Sequence, residues 1–269
     1  MKKILALLLA LVMIFALAAC GNKTEAAKPE AAKSDSDMDY VKANGKLVVG
    51  ITDFEPMDYQ DANGNWIGFD ADLATAFANS LGVDVEFAEI NWDNKILELN
   101  GKSIDCIWNG MTLTDEVTSA ASCSNPYMRN AQVIVLPAAE ADKYADVEAM
   151  KDLTFAVEAG SAGEAAVAEL GYKATPVTAQ ADALLEVAAG TSDACVIDLL
   201  MAYAMVGEGT SYADLTYTFS LNEEQYGVAF RQGSDLAGAL NTFFANQYNS
   251  GALDTLADTY GLSGSVIAQ

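Results

Sequence analysis

The amino-acid sequence predicts an α/β fold built from two units in tandem. Short apolar runs rich in β-branched residues alternate with segments of helical periodicity, which indicates sheets covered by helices. The alternation ends at Pro137 and starts again at Leu153, so the chain contains two such units. With 269 residues, 52% of them hydrophobic, the chain is long enough and apolar enough to form two cores.

The first unit is predicted to run strand, helix, strand, helix, strand. Its strands are expected at residues 46–51, 83–90 and 104–108. The first helix lies between Gly68 and Gly82, where apolar residues recur at helical spacing until glycine ends the run. A short second helix follows Asn91-Trp92-Asp93, which supplies a polar N-cap. This order indicates a parallel sheet.

The second unit follows a strand at residues 132–136. Its strands are expected at residues 153–157, 174–177 and 194–197, and its helices at residues 162–170 and 181–189. One more strand is expected at residues 226–230. Two helical segments, residues 236–248 and 253–260, complete the chain and are separated by Ser250-Gly251.

A polar turn after the strand at residues 104–108 is the first candidate for a ligand site. Asn109-Gly110 ends the strand, and Thr112-x-Thr114-Asp115 is typical of a helix N-cap. In open α/β sheets, ligands bind beyond the carboxyl ends of the strands, where loop amides and hydroxyls converge. We therefore expect a ligand beside this turn.

Charge and composition exclude several classes of function. The chain carries 38 acidic and 14 basic residues and no histidine. So acidic a surface repels phosphate backbones, and nucleic acid is not an expected partner. Without histidine, the usual Ser-His-Asp and Cys-His catalytic sets and the commonest zinc ligand are missing. We expect no metal and no cofactor, and we expect Cys106, Cys123 and Cys195 to be buried, reduced thiols.

Residues 1–19 are predicted to be a lipoprotein signal peptide. Positive charge at Lys2 and Lys3 precedes an apolar stretch of signal-peptide length. The segment Leu17-Ala18-Ala19-Cys20 resembles a bacterial lipobox, and this resemblance implies cleavage after Ala19 and lipidation of Cys20. A plain secretory signal or a single transmembrane anchor is the alternative.

Residues 20–39 are predicted to be a flexible tether. This segment consists mainly of Ala, Lys, Glu, Ser and Asp and is too polar to bury a core. Acyl chains on Cys20, palmitate among them, would hold the folded domain at the outer face of the cell membrane. We therefore expect an extracytoplasmic protein with a partner in the membrane.

An ordered set of motifs connects the sequence with a known family. The motifs are Leu47-Val48-Val49-Gly50, Asp53-Phe54-Glu55-Pro56-Met57, Gly64-x-x-x-Gly68-Phe69-Asp70-x-Asp72-Leu73, Trp92-Asp93, Asp105, Gly110-Met111-Thr112-x-Thr114, Ser124-x-Pro126-Tyr127, Gly160-Ser161, Asp193-Ala194-x-x-x-Asp198 and Tyr226-Gly227-Val228-Ala229-Phe230. Together they resemble the family 3 extracellular solute-binding proteins, which deliver polar amino acids to ABC importers. The resemblance covers residues 46–260.

This resemblance implies the type II periplasmic-binding-protein fold, a two-lobed clamshell in which each lobe is a mostly parallel sheet flanked by helices. Lobe 1 would comprise residues 40–134 and 223–269, and lobe 2 residues 135–222. The chain would cross between the lobes near residues 133–137 and 221–226. A small-molecule ligand held between the lobes would favour the closed form, which an ABC permease can sense. The implied protein is a monomeric, non-catalytic binding protein.

The resemblance also assigns ligand contacts, position by position. Phe54 and Trp92 look like the aromatic pair that encloses the ligand side chain, and Asp53 lies next to Phe54. The other implied contacts are Asn109, Gly110 and Thr112 in lobe 1, and Glu158, Gly160, Ser161 and Asp198 in lobe 2. Asp198 looks like the acid that pairs with the α-ammonium group. A buried ammonium group needs such an anion, because an unpaired buried ion costs several kcal/mol.

One position departs from the family pattern. The family usually places an arginine after Met-Thr-x-Thr-x-x to bind the α-carboxylate, and this chain has Val117 there. Either Arg129 supplies the positive charge from another direction, or the ligand is bound without a guanidinium group. The acids around the expected cleft then favour a cationic or amine-bearing ligand within the larger class of amino acids.

Other interpretations of these residues and of the function stay open. Phe54 and Trp92 could be core aromatics, Asp53 and Glu158 solvated loop acids, and Asp198 a helix N-cap. A dehydratase-like enzyme on the same fold could use cleft carboxylates for acid–base chemistry. A sensory lipoprotein would bind a ligand and report it to a receptor without transporting it.

Overall fold

The computed structural model describes residues 36–269. The predicted signal peptide, Cys20 and most of the predicted tether lie outside these residues. None of the helices in the described part of the chain combines the length and the apolar character that crossing a membrane requires.

Helices and strands alternate along most of the described chain. In order they are α1 (Asp37–Asn44), β1 (Lys46–Ile51), β2 (Tyr59–Gln60), β3 (Trp66–Ile67), α2 (Phe69–Leu81), β4 (Asp84–Glu89), α3 (Lys95–Gly101), β5 (Cys106–Ile107), α4 (Asp115–Ala120), β6 (Ser122–Cys123), β7 (Met128–Asn130), β8 (Gln132–Pro137), β9 (Thr154–Glu158), α5 (Ala162–Leu170), β10 (Lys173–Val177), α6 (Gln180–Ala189), β11 (Ala194–Asp198), α7 (Leu199–Met205), β12 (Leu215–Ser220), β13 (Glu224–Tyr226), β14 (Ala229–Phe230), α8 (Leu236–Ser250) and α9 (Ala252–Thr259). Short 3₁₀ turns lie at Trp92–Asn94, Ala138–Lys143 and Glu148–Met150.

Two five-stranded sheets organise the molecule. The first has the order β4-β1-β5-β14-β6, and the second has the order β10-β9-β11-β8-β12. Strand pairing shows that one strand in each sheet, β14 or β8, is antiparallel to its neighbours, whereas the other four share a direction. The predicted α/β architecture with mostly parallel sheets is thus confirmed.

A separate two-stranded ribbon joins the two sheets. It pairs β7 with β13 in antiparallel fashion, with Met128 opposite Tyr226 and Asn130 opposite Glu224. We call residues 36–127 and 227–269 lobe 1, residues 132–222 lobe 2, and the β7–β13 pair the connecting ribbon. The chain enters lobe 2 through β7 and returns through β13.

The boundary of lobe 2 lies earlier than the sequence predicted. Strand β8 begins at Gln132 and pairs with β11 in the second sheet from its first residue, where Gln132 is opposite Asp198. Residues 132–134 therefore belong to lobe 2, not to lobe 1. The predicted strand at residues 226–230 is likewise divided, because Tyr226 ends the ribbon and Ala229 begins β14 of the first sheet. Strand β12 was not predicted.

The end of the predicted tether is structured. Helix α1 begins at Asp37, and the hydroxyl of Ser36 accepts a hydrogen bond from the backbone N–H of Asp39 as an N-cap. Arg231, only 8% exposed, forms ion pairs with Asp37 at 3.1 Å and with Asp105 at 3.0 Å. These contacts bind α1 to lobe 1, so residues 37–39 are not part of a flexible segment.

Candidate ligand-binding site

A cavity of about 420 Å³ lies between the two lobes at the carboxyl ends of their parallel strands. Both lobes and the strand that returns from lobe 2 contribute to its wall. The lining residues that bear on ligand binding are Trp92, Lys95, Asn109, Gly110, Thr112 and Val117 from lobe 1, Glu158, Gly160, Ser161, Gln180, Asp198 and Asn222 from lobe 2, and Glu224 from the ribbon. The structure thus brings Trp92 and Asp198 to one cavity.

The turn after β5 contributes main-chain groups to the cavity, because the side chain of Asn109 is occupied by hydrogen bonds to other residues. The Asn109 amide donates to the Thr52 carbonyl at 3.0 Å and to the Asp58 carboxylate at 2.8 Å, and its oxygen accepts from the Thr52 hydroxyl at 2.8 Å. Gly110 has φ +53°, and a Cβ there would lie 2.4 Å from a ring carbon of Phe54. This position therefore requires glycine.

The buried carboxyl groups of Asp58 and Asp70 accept hydrogen bonds from this turn. Asp70 accepts hydrogen bonds from the Gly110 N–H at 2.7 Å and from the Tyr127 hydroxyl at 2.7 Å. Burial raises the pKa of Asp70 to about 7. Burial also raises the pKa of Asp58 well above its ordinary value, and the neighbouring Asp70 charge adds to this effect. The pair therefore retains protons at pH values where exposed aspartates have lost them.

Asp198 lies at the end of β11 and is surrounded by donors. Its carboxylate accepts hydrogen bonds from the side chains of Asn130, Gln132, Gln180 and Tyr226, the Tyr226 hydroxyl at 2.7 Å. Although Asp198 occupies the N-cap position of α7, its side chain makes no hydrogen bond to that helix. Burial raises the pKa of Asp198 well above its ordinary value, and the negative charge of Glu224 raises it further.

Glu224 is a second acid at this end of the cavity that the sequence analysis missed. Its carboxylate accepts from the Thr112 hydroxyl at 2.8 Å, the Asn130 amide at 2.6 Å and the Gln132 amide at 2.7 Å. Asn130 and Gln132 therefore each donate to both Asp198 and Glu224. The one sequence signal that could have placed Glu224 at the site was its position two residues before the motif that begins at Tyr226.

Lys95 is the cation that reaches the cavity, and it too was missed. Its ammonium group donates to the Gly160 carbonyl at 2.8 Å and to the Trp92 carbonyl at 3.3 Å, and it lies 5.1 Å from the centroid of the Trp92 ring. Burial lowers the pKa of Lys95, whereas nearby carboxylates, among them Glu116 and Glu158, oppose that effect. The sequence signal that could have placed Lys95 at the site was its position one helical turn after Asn91.

The lobes contact each other at Gly160. This residue has φ +71°, and a Cβ there would lie 2.7 Å from the Cα of Asp93 in lobe 1. Its N–H donates to the Glu164 carboxylate at 2.8 Å, and the Ser161 hydroxyl caps α5 by accepting from the Glu164 N–H at 3.1 Å. The start of α5, predicted to bind a ligand carboxylate, thus already has a carboxylate of the chain beside it.

Glu158 ends β9 at the cavity wall and is 2% exposed. One of its carboxylate oxygens has no hydrogen-bond partner. Burial raises the pKa of Glu158 to about 8, although the Thr52 hydroxyl and the charge of Lys95 act in the opposite direction. A buried acid with an unpaired oxygen favours a ligand group that can donate to it.

Three of the predicted site residues do not line this cavity. Phe54 is 1% exposed and packs edge-on against Tyr226, with ring centroids 6.4 Å apart. Asp53 lines a separate cavity of about 320 Å³ together with Glu55 and Glu89. Arg129 is exposed on β7, where its guanidinium group donates to the Val266 carbonyl at 3.1 Å.

The cysteines of the described chain are free thiols, with Cys106 and Cys195 buried and Cys123 half-buried. Burial raises the pKa of the Cys123 thiol, which lowers its reactivity. Within residues 36–269, no group of three or more His, Cys, Asp or Glu side chains has the arrangement of a metal site.

The family model of the bacterial extracellular solute-binding proteins, family 3, matches residues 47–263. This chain belongs to that family. The matched span contains both lobes and every residue named above as lining the cavity. As the family's description states, its members are extracellular proteins that bind solutes.

Two relatives of this family 3 protein match over most of its length. The arginine-binding extracellular protein ArtP of Bacillus subtilis is 28% identical over 265 residues, which cover 95% of this chain and 96% of ArtP. The crystal structure of a P235GK mutant of ArgBP from T. maritima superposes with a TM-score of 0.78 at 34% identity, covering 84% of this chain and 99% of that one.

A third relative of the family 3 protein bears the name of an enzyme. Cyclohexadienyl dehydratase of Pseudomonas aeruginosa is 27% identical over 115 residues, which cover 42% of this chain and 43% of the enzyme. Most of the named relatives of this protein are nonetheless binding proteins.

Proposed function

We propose that this protein is the substrate-binding component of an ABC importer and that it binds an amino acid between its two lobes. The observation that carries the proposal is the cavity at the junction of the lobes, where the buried carboxylate of Asp198 faces space for a small molecule. Relatives named as amino-acid-binding proteins support it. Closure around the ligand would signal occupancy to the permease.

We assign ligand contacts from the cavity wall. Asp198 accepts from the ligand ammonium group, with the Thr112 hydroxyl and the main chain at Gly110 beside it. The ring of Trp92 covers the ligand side chain, and Glu158 lies within reach of its polar end. In this assignment Phe54 acts from behind Gly110, so it shapes the turn without touching the ligand.

Ligand titration tests the binding function. Protein purified from cells that express the full chain is titrated by calorimetry against the twenty amino acids and small amines. We expect at least one of these compounds to bind. At a ligand concentration 100 times Kd, binding should stabilise the folded protein by about 2.7 kcal/mol and so raise its melting temperature. Asp198→Asn should abolish this shift. A panel without any binder would contradict the proposal.

Attachment through Cys20 is part of the same proposal. Acyl chains on this cysteine would keep the folded domain at the outer face of the membrane. Cys20→Ser should release the protein from the membrane fraction and stop the incorporation of a labelled palmitate analogue. Cys123→Ser is the matched control, and it should leave both properties unchanged. Retention of the label in Cys20→Ser would rule out lipidation at this site.

Two alternatives remain proposals with their own tests. A dehydratase-like enzyme would find in Glu158, with its pKa raised to about 8, an acid that is protonated at neutral pH. Mass spectrometry of the recovered ligand separates the two, because a binding protein returns it unchanged. A sensory lipoprotein would bind the ligand, but cells lacking the gene would then take up the labelled ligand at the normal rate.

A further inference from the structure

The charges around the cavity are strongly unbalanced. Among the described residues that line it, six carry carboxyl groups and Lys95 alone carries a positive charge. The ammonium group of Lys95 already donates to two carbonyl oxygens, those of Gly160 and Trp92. It therefore joins the lobes, and its single charge offsets only part of the acids around the cavity. A cation supplied by the ligand would correct the imbalance.

Asp198 and Glu224 form the first acidic position. The Gln132 amide nitrogen lies 3.1 Å from an Asp198 oxygen and 2.7 Å from a Glu224 oxygen, so the two carboxyl groups are close neighbours. Both carboxyl groups accept a hydrogen bond from the same Gln132 amide, although like charges at this separation repel each other. Neutral amide and hydroxyl donors reduce that repulsion only partly. A ligand ammonium group between the two would be attracted by both.

Glu158 is the second acidic position. It ends β9, which is the neighbour of β11 in the sheet, so Glu158 and Asp198 reach the cavity from adjacent strand ends. The unpaired oxygen of Glu158 has no donor within reach. The nearest cation, Lys95, is held at Gly160. A second positive group on the ligand would donate to this oxygen and, by its charge, favour the ionised form of Glu158, which burial alone disfavours.

Groups that could bind a ligand carboxylate are scarce. Val117 contributes an apolar side chain to the wall, and Arg129 is exposed on the ribbon. The N–H of Gly160 at the start of α5 already donates to Glu164. A negative ligand group would therefore gain little in this cavity, whereas positive groups would gain at two separate positions.

We propose that the cavity selects a ligand with two positively charged groups, one bound by the Asp198–Glu224 pair and the other by Glu158. This inference rests on the proposed binding function and specifies its ligand. Basic amino acids and simple diamines share this chemistry. Glu158 is then the residue that determines specificity, because it would lose its counter-ion if a neutral amino acid were bound, whereas Glu224 lies beside the ammonium group that every amino acid carries.

Calorimetric titration of the full-chain protein tests the proposal. The probes are L-arginine, L-lysine, agmatine and cadaverine, which each carry two positive groups, and L-citrulline, L-glutamine and L-glutamate as comparators with one positive group. We expect at least one of the first four to bind about 100-fold more tightly than L-citrulline, the neutral isostere of arginine. Binding of arginine and lysine alone identifies the amino acids as the source. Binding of agmatine or cadaverine shows that the carboxylate is dispensable.

Variants then localise the selectivity. Glu158→Gln should reduce the preference for arginine over citrulline by about tenfold or more, whereas Glu224→Gln should weaken both ligands and leave that preference nearly unchanged. The exposed Glu208→Gln should leave the preference unchanged. If a neutral or acidic amino acid binds as tightly as every ligand with two positive groups, or if Glu158→Gln retains the full preference, the proposal of two positive groups is wrong while the binding function stands. Failure of all amino acids and amines would instead refute the binding function.

Discussion

Lys95 and Gly160 lie on opposite lobes, and the ammonium nitrogen of Lys95 is 2.8 Å from the carbonyl oxygen of Gly160. Glycine at 160 lets the main chain of lobe 2 approach Asp93, so its carbonyl comes within reach of the lysine. Close approach of two main chains and one charged hydrogen bond thus hold the lobes together. We expect the contact between the lobes to depend on both, and each can be tested separately.

Lys95→Met should weaken closure. The substitution keeps most of the side-chain volume over Trp92 but removes a charged hydrogen bond, which is worth about 1.5–3 kcal/mol. We expect the radius of gyration of the ligand-free protein, measured by small-angle scattering, to increase. Lys173→Met, an exposed change on β10, is the control. Identical scattering from all three proteins would show that this hydrogen bond does not control closure.

Gly160→Ala should impair ligand binding more than it impairs stability. Gly160 and Gly171 share the same φ of +71°, so alanine at either position strains the backbone by about 1 kcal/mol. Only at 160 would the added Cβ meet the other lobe, 2.7 Å from the Asp93 Cα. We expect similar losses of melting temperature in both variants but weaker ligand affinity in Gly160→Ala alone. Equal affinities would contradict the interlobe contact.

Arg231→Met should destabilise the fold by about 3–5 kcal/mol, because it leaves Asp37 and Asp105 buried without their partner. Urea unfolding measures this loss. Arg129→Met removes the other arginine of the chain, which is exposed, and should cost less than about 1 kcal/mol. If Arg129→Met also weakens ligand binding strongly, Arg129 binds the ligand despite its position on the ribbon.

Stability should decrease as pH rises from about 5 to 8. Asp70 and Glu158 have folded-state pKa values raised to about 7 and about 8, so the folded chain keeps protons that the unfolded chain has released. The free energy of unfolding therefore falls between the ordinary carboxyl pKa and these raised values, by at most about 1.4 kcal/mol per group and pH unit. Urea unfolding at pH 5.5 and 8 measures the difference.

Asp70→Asn tests the source of this pH dependence. The amide cannot ionise, so the slope of stability against pH should become shallower below about pH 7. Asp254→Asn, an exposed change on α9, should leave the slope as it is. If the original protein instead loses more stability when the pH is lowered than when it is raised, the sign of the pH dependence is the opposite of the one expected. That result would contradict the burial of protonated acids.

Local sequence predicted most of the strands and helices because their signals are short in range. The helix at Phe69–Leu81 could be predicted from its apolar spacing and from Gly82. The place of Asp198 at a strand end could be predicted because it follows a buried apolar run. Strand β12 and the division between Tyr226 and Ala229 were missed. Both depend on which sheet the chain joins, and that choice is made by distant residues.

The site shows the same division. Trp92, Thr112, Glu158 and Asp198 could be placed at the cleft from their motifs, and all four line the cavity. Lys95 and Glu224 could not, since their roles depend on groups in the opposite lobe or across the ribbon. Phe54 was expected at the ligand, but its ring lies against Gly110 and does not line the cavity.

The sequence by itself determined the α/β class and the two units, because these follow from residue type and local periodicity. Only the tertiary structure decided that Lys95 joins the lobes and that Glu224 lies beside Asp198. Charges that are distant in the chain become neighbours only in the folded structure, and their energies depend on burial and separation, which no local pattern encodes.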